Sequence, residues 1–419
     1  MSNLRVLIVS QHFPPEKTAN ASRTYETAFN LNKLGMETMV FSPHPTYPHS
    51  NFNKIWKFRE SKEVDGIKLV NLWSWQPSST DPGFLSRIAY YLIFPLHAMA
   101  WALLYMNRYD IIITSNPPIF TGITGLFSKI ILRKKWIIDT RDLWVDASIS
   151  LGFLKKGSIF EKISKKYEKL CYLKTDLILA ATEDTRKKIS EKYVADKRIE
   201  VTTNGVDTDN FYCTNSKKKQ QIVFMGNVGH AMDLENCIVA MHSIIKHHKL
   251  KLVIVGDGDK KEELEKFVKL QGLNEVVKFK GLVKREKIPE ILSQSLIGIA
   301  PTKELEALEY VIPVKIYEYM ACKLPYVACG VGEIVKLTGE SGAGIVVPNS
   351  PDAIADSIID IIDNPEKLTE MGEKGRIYVK NKYNRKNIVL KLKEDIETLL
   401  YSDDPEIYEL GEENYARGK

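Results

Sequence analysis

Residues 313–330, PVKIYEYMACKLPYVACG, place a short helical segment directly before an apolar strand. The apolar run LIGIAPT at 296–302 precedes this stretch, so the order of elements is strand, helix, strand. Two short apolar runs joined by a helix are typical of a βαβ unit in a parallel sheet. Pro313 is a residue type preferred at the first position of a helix, and we predict that the helix begins there.

The same alternation extends outward along the chain, with short β-branched runs separated by helical or loop segments. In the first half the predicted strands are LRVLIVS, METMVFS, IKLVNLW, DIIITS, KWIIDT and DLILAAT. In the second half they are QIVFMGN, KLVIVGDG, EVVKFKG, LIGIAPT, PYVACG and GIVVP. This pattern predicts an α/β fold of two Rossmann-like, doubly wound parallel-sheet domains, whose strand-end loops face one cleft.

Turn residues mark the predicted boundary between the two domains. The stretch VTTNGVDTDNF at 201–211 contains several of them, and the polar linker CTNSKKKQQ follows. We therefore predict one domain over 1–198 and a second over 199–383. The acidic segment 403–419 is predicted to be disordered.

The composition is that of an ordinary globular chain: of 419 residues, 44% are hydrophobic and 27% are charged. Five cysteines without CxxC spacing argue against a disulfide framework and against structural zinc, and they fit a reducing cytoplasm. The N-terminal MSNLRVLIVS is too short and too poorly flanked for a signal peptide. The net charge of +6 is modest, and we expect no nucleic-acid partner.

A basic amphipathic segment lies between Leu151 and Lys174, where seven lysines accompany two acidic residues. Five apolar side chains fall near one face at helical spacing: Phe153, Phe160, Ile163, Tyr167 and Leu170. One interpretation is a helix that binds an anionic membrane surface. The other is a surface helix whose apolar face packs on the core while its lysines face solvent.

The 19-residue stretch IAYYLIFPLHAMAWALLYM at 88–106 has no formal charge and is near the length needed to span a bilayer. The strand-like YDIIITS follows it at once, and a span there would break the α/β domain. We therefore expect a buried or interfacial helix that exposes Tyr90, Tyr91 and Trp101 to lipid, with a transmembrane span as the alternative.

Glycines follow three successive strands of the second half, whereas no GxGxxG motif follows the first strand of the chain. A nicotinamide site is therefore not expected after that first strand. The motifs are GNVG, GDG and GL, which contain Gly226, Gly229, Gly256, Gly258, Gly281 and Leu282. Such turns are expected to leave backbone N–H groups free to approach phosphate oxygens or a nucleobase edge.

Lys315 and Glu318 lie three residues apart in the helix predicted to begin at Pro313. A lysine near a helix N-terminus is unfavourable unless an anion compensates it. Glu318, one turn further, could accept two hydrogen bonds from adjacent hydroxyls such as those of a ribose. The alternative is an i to i+3 ion pair on a solvated face, but the apolar neighbours favour a ligand site.

These stretches resemble, in order and spacing, the nucleotide-sugar half of retaining glycosyltransferases of family 4, which have the GT-B fold. The matching stretches are NGVDTDNF, FMGNVG, VIVGDG, VKFKGLV, IAP and PVKIYEYMACKLPYVACGVGE, which begin at 204, 224, 253, 277, 299 and 313. In the first half, QHFPPE (11–16), SNPP (115–118) and RDLW (141–144) resemble the branch that builds bacterial surface polysaccharides, including transferases of N-acetylfucosamine-type sugars.

The resemblance implies roles for individual positions. Glu318 matches the family's second motif glutamate, which holds the donor ribose, and Tyr310 replaces the first motif glutamate. Lys315 is expected on the diphosphate side of the donor. His230 stands where the family has a basic residue after GNVG. The segment 384–402 is expected to form a helix that returns to the first domain.

Sugar transfer breaks the bond between the anomeric carbon and phosphate, and negative charge develops on the leaving diphosphate. Helix N-termini, Gly229, Lys315 and Arg285 could stabilise that charge, so no metal cofactor is expected. The triplet Asp207-Thr208-Asp209 would suggest a metal-dependent class. Its position inside NGVD at the domain junction favours a turn instead.

Activation of the acceptor requires a carboxylate or an imidazole in the first half. Asp142 follows the strand in WIIDTRDLW and is the candidate catalytic residue, with Asp139 and Asp146 as rivals. The alternative is that Arg141 and Asp142 make structural ion pairs. In retaining transfer the leaving phosphate can itself take the acceptor proton, and Asp142 would then only orient the acceptor.

We therefore expect a retaining glycosyltransferase that moves an amino or deoxy sugar from a nucleoside diphosphate, with UDP favoured over GDP. The expected acceptor is a lipid-linked saccharide for a surface polysaccharide such as O-antigen or capsule. The expected location is the inner face of the cell membrane. Two alternatives stay open: a GT-B-fold epimerase of nucleotide sugars, and a non-catalytic membrane scaffold.

Overall fold

The structure is a computed structural model that describes residues 4–16, 18–47, 52–78, 83–150, 152 and 154–401. Its contacts divide the chain into two compact units. Unit 1 comprises the described residues of Met1–Trp144, Ile159–Thr202 and Lys386–Lys419, and unit 2 comprises those of Val145–Ser158 and Thr203–Arg385. The predicted acidic tail 403–419 and the residue Phe153 lie outside the described residues.

Unit 1 is built on an eight-stranded sheet within the described part of the chain. Its strands are β1 (Arg5–Val9), β2 (Glu37–Pro43), β3 (Arg59–Val64), β4 (Ile67–Leu72), β5 (Ile111–Asn116), β6 (Lys135–Thr140), β7 (Leu177–Ala180) and β8 (Ile199–Val201). Their order is β3-β4-β2-β1-β5-β6-β7-β8, and all neighbours pair in parallel except β3 with β4. Because the strand order reverses next to β1, the topological switch point of this sheet lies between β1 and β5.

The helices of this half of the chain connect the parallel strands. They are α1 (Ala19–Lys33), α2 (Phe84–Leu104), α3 (Gly122–Ile130), α4 (Trp144–Ser150), α5 (Ile159–Lys174) and α6 (Glu183–Lys192). The core of unit 1 is formed by alternating strand residues such as Val6, Ile8 and Ile113 together with Leu31 of α1. This is the arrangement predicted from the strand and helix alternation in the sequence.

Unit 2 is built on a six-stranded parallel sheet of order β11-β10-β9-β12-β13-β14. These strands are β9 (Gln221–Met225), β10 (Lys251–Val255), β11 (Val277–Gly281), β12 (Ile297–Pro301), β13 (Tyr326–Cys329) and β14 (Gly344–Val346). Among the described residues of this half of the chain, the α-helices that accompany them are α7 (Leu234–His247), α8 (Lys261–Leu270), α9 (Ile288–Gln294), α10 (Val314–Ala321), α11 (Glu333–Ser341), α12 (Pro351–Asp363) and α13 (Pro365–Lys382). The order matches the Rossmann arrangement, with its switch point between β9 and β12.

The last helix, α14 (Arg385–Tyr401), belongs to unit 1 although it follows unit 2 in the chain. Val389, Leu392 and Ile396 of α14 are buried in the core cluster that also contains the strands of unit 1. Asp395 accepts a 2.6 Å hydrogen bond from Arg198, which adds a charged contact at the edge of that core. Unit 1 therefore includes residues from both ends of the described chain.

Two strands of the first sheet were not predicted. β3 forms an antiparallel hairpin with β4, and Val64 pairs with Ile67 across a two-residue turn. The turn residues Asp65 and Gly66 have φ values of 51° and 80°, the conformation of the tight turn that Asp-Gly sequences favour. β8 spans three residues and begins at Ile199, where the prediction placed the second domain.

Candidate functional site

The loops that follow β9 and β12 meet at the switch point of the second sheet. The Asp233 amide donates to the Pro301 carbonyl at 2.7 Å, and the Lys303 amide donates to the Ala231 carbonyl at 3.0 Å. In open α/β sheets, ligands bind outside the carboxyl ends of the strands at this point. The GNVG turn and the approach to α10 are therefore where unit 2 would bind a ligand.

The glycine turns after β9, β10 and β11 are hydrogen-bonded to one another. The Gly226 amide donates to Val255, and the Gly256 amide donates to Gly281, each at 2.9 Å. A Cβ on Gly256 would lie 1.8 Å from the Gly226 carbonyl oxygen, and the Gly256 φ is +143°, so only glycine fits there. These contacts bring neighbouring strand ends together more closely than any side chain would allow.

The expectation that all of these glycine amides are free is therefore wrong for Gly226, Gly256 and Gly258. The N–H groups of Gly226 and Gly256 are already used between the turns, and that of Gly258 donates to Asp257 Oδ1 at 3.0 Å. The Gly229 amide, in contrast, donates no hydrogen bond within the described part of the chain. Gly258 fits tightly, since a Cβ there would lie 2.5 Å from the Val228 carbonyl oxygen, and Leu282 is exposed beyond β11.

Lys315 extends from the first turn of α10 toward the GNVG turn. Its side chain is buried, with Nζ 3.3 Å from Met232 Sδ and 3.8 Å from the centre of the Phe224 ring. A Cβ on Gly226 would lie 3.2 Å from Lys315 Cε, so the lysine stem packs against that glycine. Burial lowers the pKa of Lys315 to about 7, although the nearby Glu318 and Cys237 act to raise it.

Glu318 lies one turn after Lys315 in α10 and is also buried, with 5% of its surface exposed. Its Oε1 accepts a 3.2 Å hydrogen bond from Arg285 Nη1, and the Arg285 guanidinium lies 4.8 Å from the centre of the Phe211 ring. A pair on a solvated helix face is therefore wrong as an explanation of Lys315 and Glu318. The structure instead brings a cation and a carboxylate to the buried start of one helix.

The two other positions implied by the resemblance are less enclosed. Tyr310 is half-buried in the turn region before α10, and His230 is exposed in the loop after Gly229. Lys315, rather than His230, brings a basic group into contact with the GNVG turn. This contact between a helix residue and a loop almost ninety positions earlier was not visible in the sequence.

The Asp207-Thr208-Asp209 triplet forms a turn, as predicted. Asp207 Oδ1 accepts hydrogen bonds from the Asp209 amide at 3.0 Å and from the Asn210 amide at 3.3 Å. A carboxylate that accepts from the backbone two and three residues ahead is typical of an Asx turn. Among the described residues, no group of three or more His, Cys, Asp or Glu side chains converges as a metal site would require.

In unit 1, Asp139 at the end of β6 is held by two arginines. Arg23 of α1 donates to both of its carboxylate oxygens, at 2.6 and 3.2 Å, and Arg141 Nε lies 3.4 Å from Oδ2. Arg141 also donates to the Asn20 side chain at 2.8 Å. Arg23, Asp139 and Arg141 are all buried, so Asp139 has a structural role.

Asp142 differs from Asp139 because no hydrogen bond reaches its carboxylate among the described residues. The alternative of structural ion pairs is confirmed for Arg141, which pairs with Asp139, but not for Asp142 within the described residues. Burial raises the pKa of Asp142, while the charges of Arg141 and Arg23 act to lower it. The remaining rival, Asp146, lies in α4 within the segment that belongs to unit 2.

The sequence interpretation missed Arg23 as a member of this cluster. Arg23 and Asp139 are 116 residues apart, and only the adjacency of α1 and β6 in the fold brings them together. The one available signal for Arg23 was its polar side chain at a buried position of the amphipathic helix α1. Arg23 and Arg141 together leave Asp142 beside positive charge, but no described residue is hydrogen-bonded to its carboxylate.

Known proteins match both halves of the chain. The family described as Glycosyltransferase Family 4 matches residues 21–210, and the family described as Glycosyl transferases group 1 matches residues 207–378. An uncharacterised glycosyltransferase of Methanocaldococcus jannaschii is 28% identical over 313 residues, which cover 71% of this chain and 77% of the relative.

Solved structures agree with this match. Sucrose-phosphate synthase from Thermosynechococcus elongatus has a TM-score of 0.75 at 17% identity, with 96% of this chain and 100% of that chain covered. HepE from Anabaena, solved in complex with UDP-glucose, has a TM-score of 0.70 at 14% identity, with 94% and 100% covered. The chain is a glycosyltransferase with the GT-B fold, whose first half matches the family 4 model and whose second half matches the group 1 model.

Proposed function

We propose that this glycosyltransferase is a retaining enzyme that moves an amino or deoxy sugar from a nucleoside diphosphate to a lipid-linked saccharide. The observation that carries the proposal is the pair of buried charges in α10, Lys315 and Glu318, beside the GNVG turn. In this proposal the oxygens of the diphosphate accept hydrogen bonds from the Lys315 ammonium and from the Gly229 amide. The ribose hydroxyls donate to Glu318, which releases part of its contact with Arg285.

UDP is the favoured nucleotide. Support comes from HepE, whose solved complex contains UDP-glucose and whose fold this chain shares. In the proposed site, Lys315, Arg285 and the amino end of α10 stabilise the charge of the leaving diphosphate without a metal cofactor. Tyr310, in the turn before α10, replaces the glutamate that would contact the donor sugar. This replacement is consistent with a sugar that lacks one of the usual hydroxyls.

For the acceptor, we propose that Asp142 accepts a hydrogen bond from a saccharide hydroxyl. Asp142 is half-buried and lies at the carboxyl edge of the first sheet, and its carboxylate has no hydrogen bond among the described residues. The neighbouring Asp139 cannot serve because Arg23 and Arg141 hold it. Asp142 is thus the carboxylate of this edge that is available to a ligand.

A membrane location is supported by α2, the one helix of the described chain that is long and apolar enough to cross a bilayer by length and composition. One of its faces is buried in unit 1, through Tyr90, Phe94, Ala98 and Ala102 at four-residue spacing. The opposite face exposes leucines at positions 85, 96, 103 and 104. A helix with one face in the domain core suits the membrane interface better than a span.

Two details of α2 differ from the prediction. Tyr90 is buried rather than exposed to lipid, and Trp101 is half-buried beneath the Arg59 guanidinium, 4.6 Å from its ring centre. His97 has a structural role, since it accepts from Trp101 Nε1 and contacts the Trp73 carbonyl, both at 3.0 Å. The leucines, not the aromatic side chains, form the apolar surface of this helix.

The helix α5 adds positive charge to exposed apolar surface. Ile159, Phe160 and Ile163 are each more than half exposed, while the two glutamates of the helix, Glu161 and Glu168, are buried. The interpretation in which the apolar face packs on the core is therefore wrong for these side chains. An exposed face of apolar residues and lysines, with the carboxylates turned inward, fits an anionic lipid surface.

The experiment that tests the proposal offers the purified protein a panel of nucleotide sugars, with and without a polyprenyl-linked saccharide. Transfer predicts nucleotide release that depends on the acceptor, and NMR of the product should show the donor's anomeric configuration. An isomeric nucleotide sugar without an acceptor would support the epimerase alternative instead. A lack of reaction across the panel would favour the scaffold.

Replacing Glu318 by alanine tests the donor site directly. We expect nucleotide binding to weaken by about 1.5–3 kcal/mol, the usual contribution of a hydrogen bond to a charged group. Calorimetric titration with UDP measures the change. Glu373→Ala is the matched control, because Glu373 pairs with Lys323 on the surface of unit 2. Unchanged UDP affinity in Glu318→Ala would contradict the assignment.

A further inference from the structure

The two faces of the first sheet are covered by different helices. Trp136 and Ile137 are successive residues of β6, so their side chains point to opposite faces of the sheet. Trp136 packs on α3, because a Cβ on Gly125 of that helix would lie 2.1 Å from Trp136 Nε1. Ile137 belongs to the core cluster that contains buried residues of α1 and α14. α3 therefore covers one face of the sheet, and α1 and α14 cover the other.

The helices α2 and α5 both pack against α3. Thr124 of α3 donates a 3.0 Å hydrogen bond to the Pro95 carbonyl of α2. A Cβ on Gly122 of α3 would lie 3.0 Å from Cys171 Sγ of α5, so these two helices approach each other closely. Together α2, α3 and α5 form one layer on the face of unit 1 opposite α1 and α14.

Aromatic side chains from two loops extend this layer beside α2. Phe58 lies against His97 of α2, with 4.1 Å between the ring centroids, and Trp75 Nε1 donates to Ser86 Oγ of α2 at 2.7 Å. Phe58 is 66% exposed, and the nearby Trp56 is 73% exposed. We call the outer surface of α2, α3 and α5, together with these exposed aromatic side chains, the three-helix face.

The exposed large apolar side chains of unit 1 are concentrated on this face. Besides the aromatic side chains, they include leucines of α2, isoleucines at the end of α3, and Ile159, Phe160 and Ile163 of α5. Among the described residues of unit 1, Leu390 of α14 is the exposed large apolar side chain that lies elsewhere. Such a concentration of apolar surface marks a site of contact with a protein or a membrane.

The charges exposed on the three-helix face are positive. Over their described residues, α2, α3 and α5 contain two acidic side chains, Glu161 and Glu168, and both are buried. The exposed lysines of α5 are Lys162, Lys166, Lys169 and Lys174. On the opposite face of the sheet, α14 exposes Glu394. A surface that combines apolar side chains with lysines fits anionic lipid head groups.

A second copy of the chain fits this face less well. In a twofold dimer the same surface meets itself, so the lysines of α5 would approach a surface with the same positive charge. Like charges across an interface are unfavourable. A bilayer instead offers anionic head groups to the lysines and an apolar interior to the leucines, and tryptophan side chains suit the boundary between the two.

The most exposed apolar side chains also indicate which edge of the sheet lies near the lipid. Trp56 and Phe58 lie immediately before β3, at the end of the hairpin where β4 ends. Leu85 and Ile159 are 79% and 73% exposed and lie in the first turns of α2 and α5, whose other ends lead into β5 and β7. These side chains therefore lie toward the carboxyl edge of the parallel strands, the edge at which Asp142 follows β6.

We propose that the three-helix face is a single membrane-docking surface, anchored by Trp56 and Phe58, that presents the carboxyl edge of the first sheet along an anionic bilayer. The inference deepens the proposed function and rests on it. It adds an anchor outside α2 and α5, and it explains how a lipid-linked acceptor reaches the edge that carries Asp142 without leaving the membrane.

Quenching by brominated lipid tests whether Trp56 enters the bilayer. The full chain is mixed with vesicles of phosphatidylcholine and phosphatidylserine whose acyl chains carry bromine, which quenches tryptophan emission on contact. We expect the emission of the wild type to be quenched. Trp56→Phe should keep vesicle binding and lose a large part of the quenching. Equal quenching in the two proteins, or none in the wild type, would overturn the inference.

Trp56→Ser combined with Phe58→Ser removes the anchor. We expect binding to the mixed vesicles to weaken by about 10-fold or more, because two large apolar side chains no longer leave water. The melting temperature and UDP affinity should stay those of the wild type, since both side chains are mostly exposed. Leu270→Ser with Ile377→Ser removes comparably exposed side chains from unit 2 and is the matched control. If the first variant fails to fold, the quenching of Trp56→Phe still decides.

Two further results would overturn the inference. One is a folded Trp56→Ser, Phe58→Ser variant that binds vesicles like the wild type. The other is a wild-type chain that is a dimer in sedimentation velocity and becomes a monomer in this variant, because the face would then join two copies.

Failure of the proposed function is distinguishable from failure of the inference, because vesicle binding and quenching require no sugar transfer. A chain that docks as expected but transfers no sugar would contradict the proposed function alone. In an active chain, the Trp56→Ser, Phe58→Ser variant should raise the KM for an acceptor embedded in vesicles. Its kcat, and its rate with a water-soluble acceptor analogue, should stay those of the wild type.

Discussion

Lys315 is a buried ammonium group whose neighbours are an aromatic ring, a thioether and a glycine. Its pKa falls from 10.5 to about 7 on folding. Between these two values the unfolded chain binds more protons than the folded one, so stability rises with pH across this range. Below pH 7 Lys315 is charged in the folded protein. This buried charge lowers stability unless a bound anion compensates it.

We therefore expect Lys315→Met to raise the melting temperature at pH 6 and to flatten its dependence on pH between 7 and 10. The same variant should bind UDP more weakly. Wild-type affinity should fall as pH rises above 7, because binding then requires proton uptake by Lys315. Thermal melts and calorimetry over this pH range measure both effects. Lys382→Met, at an exposed ion pair with Glu340, should change neither.

Asp142 gives the opposite relation between stability and pH. Burial raises its folded pKa above 3.8, so its contribution to stability is lost as pH rises from 3.8 through the folded value. At neutral pH the wild type therefore carries the full destabilisation. Asp142→Asn should melt at a higher temperature at pH 7 and yet transfer sugar more slowly. A lower melting temperature would contradict this, and the exposed Asp196→Asn is the control.

Single residues were only partly predictable from the sequence. The apolar neighbours of Lys315 and Glu318 correctly indicated burial, because burial follows local pattern. The Arg285 contact of Glu318 and the Arg23 contact of Asp139 were not predictable, since each joins distant positions of the chain. The amides of Gly226 and Gly256 were wrongly predicted to be free, because hydrogen bonds between turns depend on how closely strand ends approach.

At the level of elements, the turn at Gly256 sets the distance between β9 and β10. Gly256→Ala would place a methyl group against the Gly226 carbonyl and force a φ that alanine rarely adopts. We expect a loss of more than about 1 kcal/mol in the free energy of unfolding, together with weaker UDP binding. Denaturant titration measures the first quantity.

The matched control for this change is Gly339→Ala in α11, where a Cβ would meet no atom within 4 Å. Alanine in a helix is more favourable than glycine by about 0.5–1 kcal/mol, so this variant should be slightly more stable. If both variants behaved alike, the close approach of the two glycine turns would not be the cause of the loss.

All twelve predicted strands are present in the structure. β3 was missed because its sequence, RESKEV, is polar and lies at an exposed sheet edge, where no apolar alternation is required. The Asp65-Gly66 turn was a usable signal for it. β8 was missed because three residues carry too little pattern, and pairing with β7 rather than local propensity makes it a strand.

At the level of the whole molecule, apolar and basic surface of unit 1 predicts binding to anionic vesicles that weakens with salt. Lys162→Glu combined with Lys166→Glu on α5 should reduce binding to phosphatidylserine vesicles in a sedimentation assay. Lys266→Glu with Lys269→Glu on α8 makes the same charge change on an exposed helix of unit 2. If both double variants lost vesicle binding equally, the loss would reflect only the general change in charge.

The architecture of two Rossmann sheets was predictable because strand alternation and glycine turns recur at fixed topological positions. The assignment of Val145–Ser158 to unit 2 was not predictable from the sequence. A short segment between β6 and α5 has no composition that assigns it to either domain.

The helix α14 fills part of the core of unit 1 with Val389, Leu392 and Ile396. During synthesis, the ribosome makes the strands of this core first and makes the helix that completes it only after unit 2. Domains made early usually fold while translation continues. The apolar surface of the amino-terminal domain therefore stays exposed until the carboxy-terminal domain has emerged from the ribosome. A chain cut short after α13 would leave that surface exposed to chaperones and proteases.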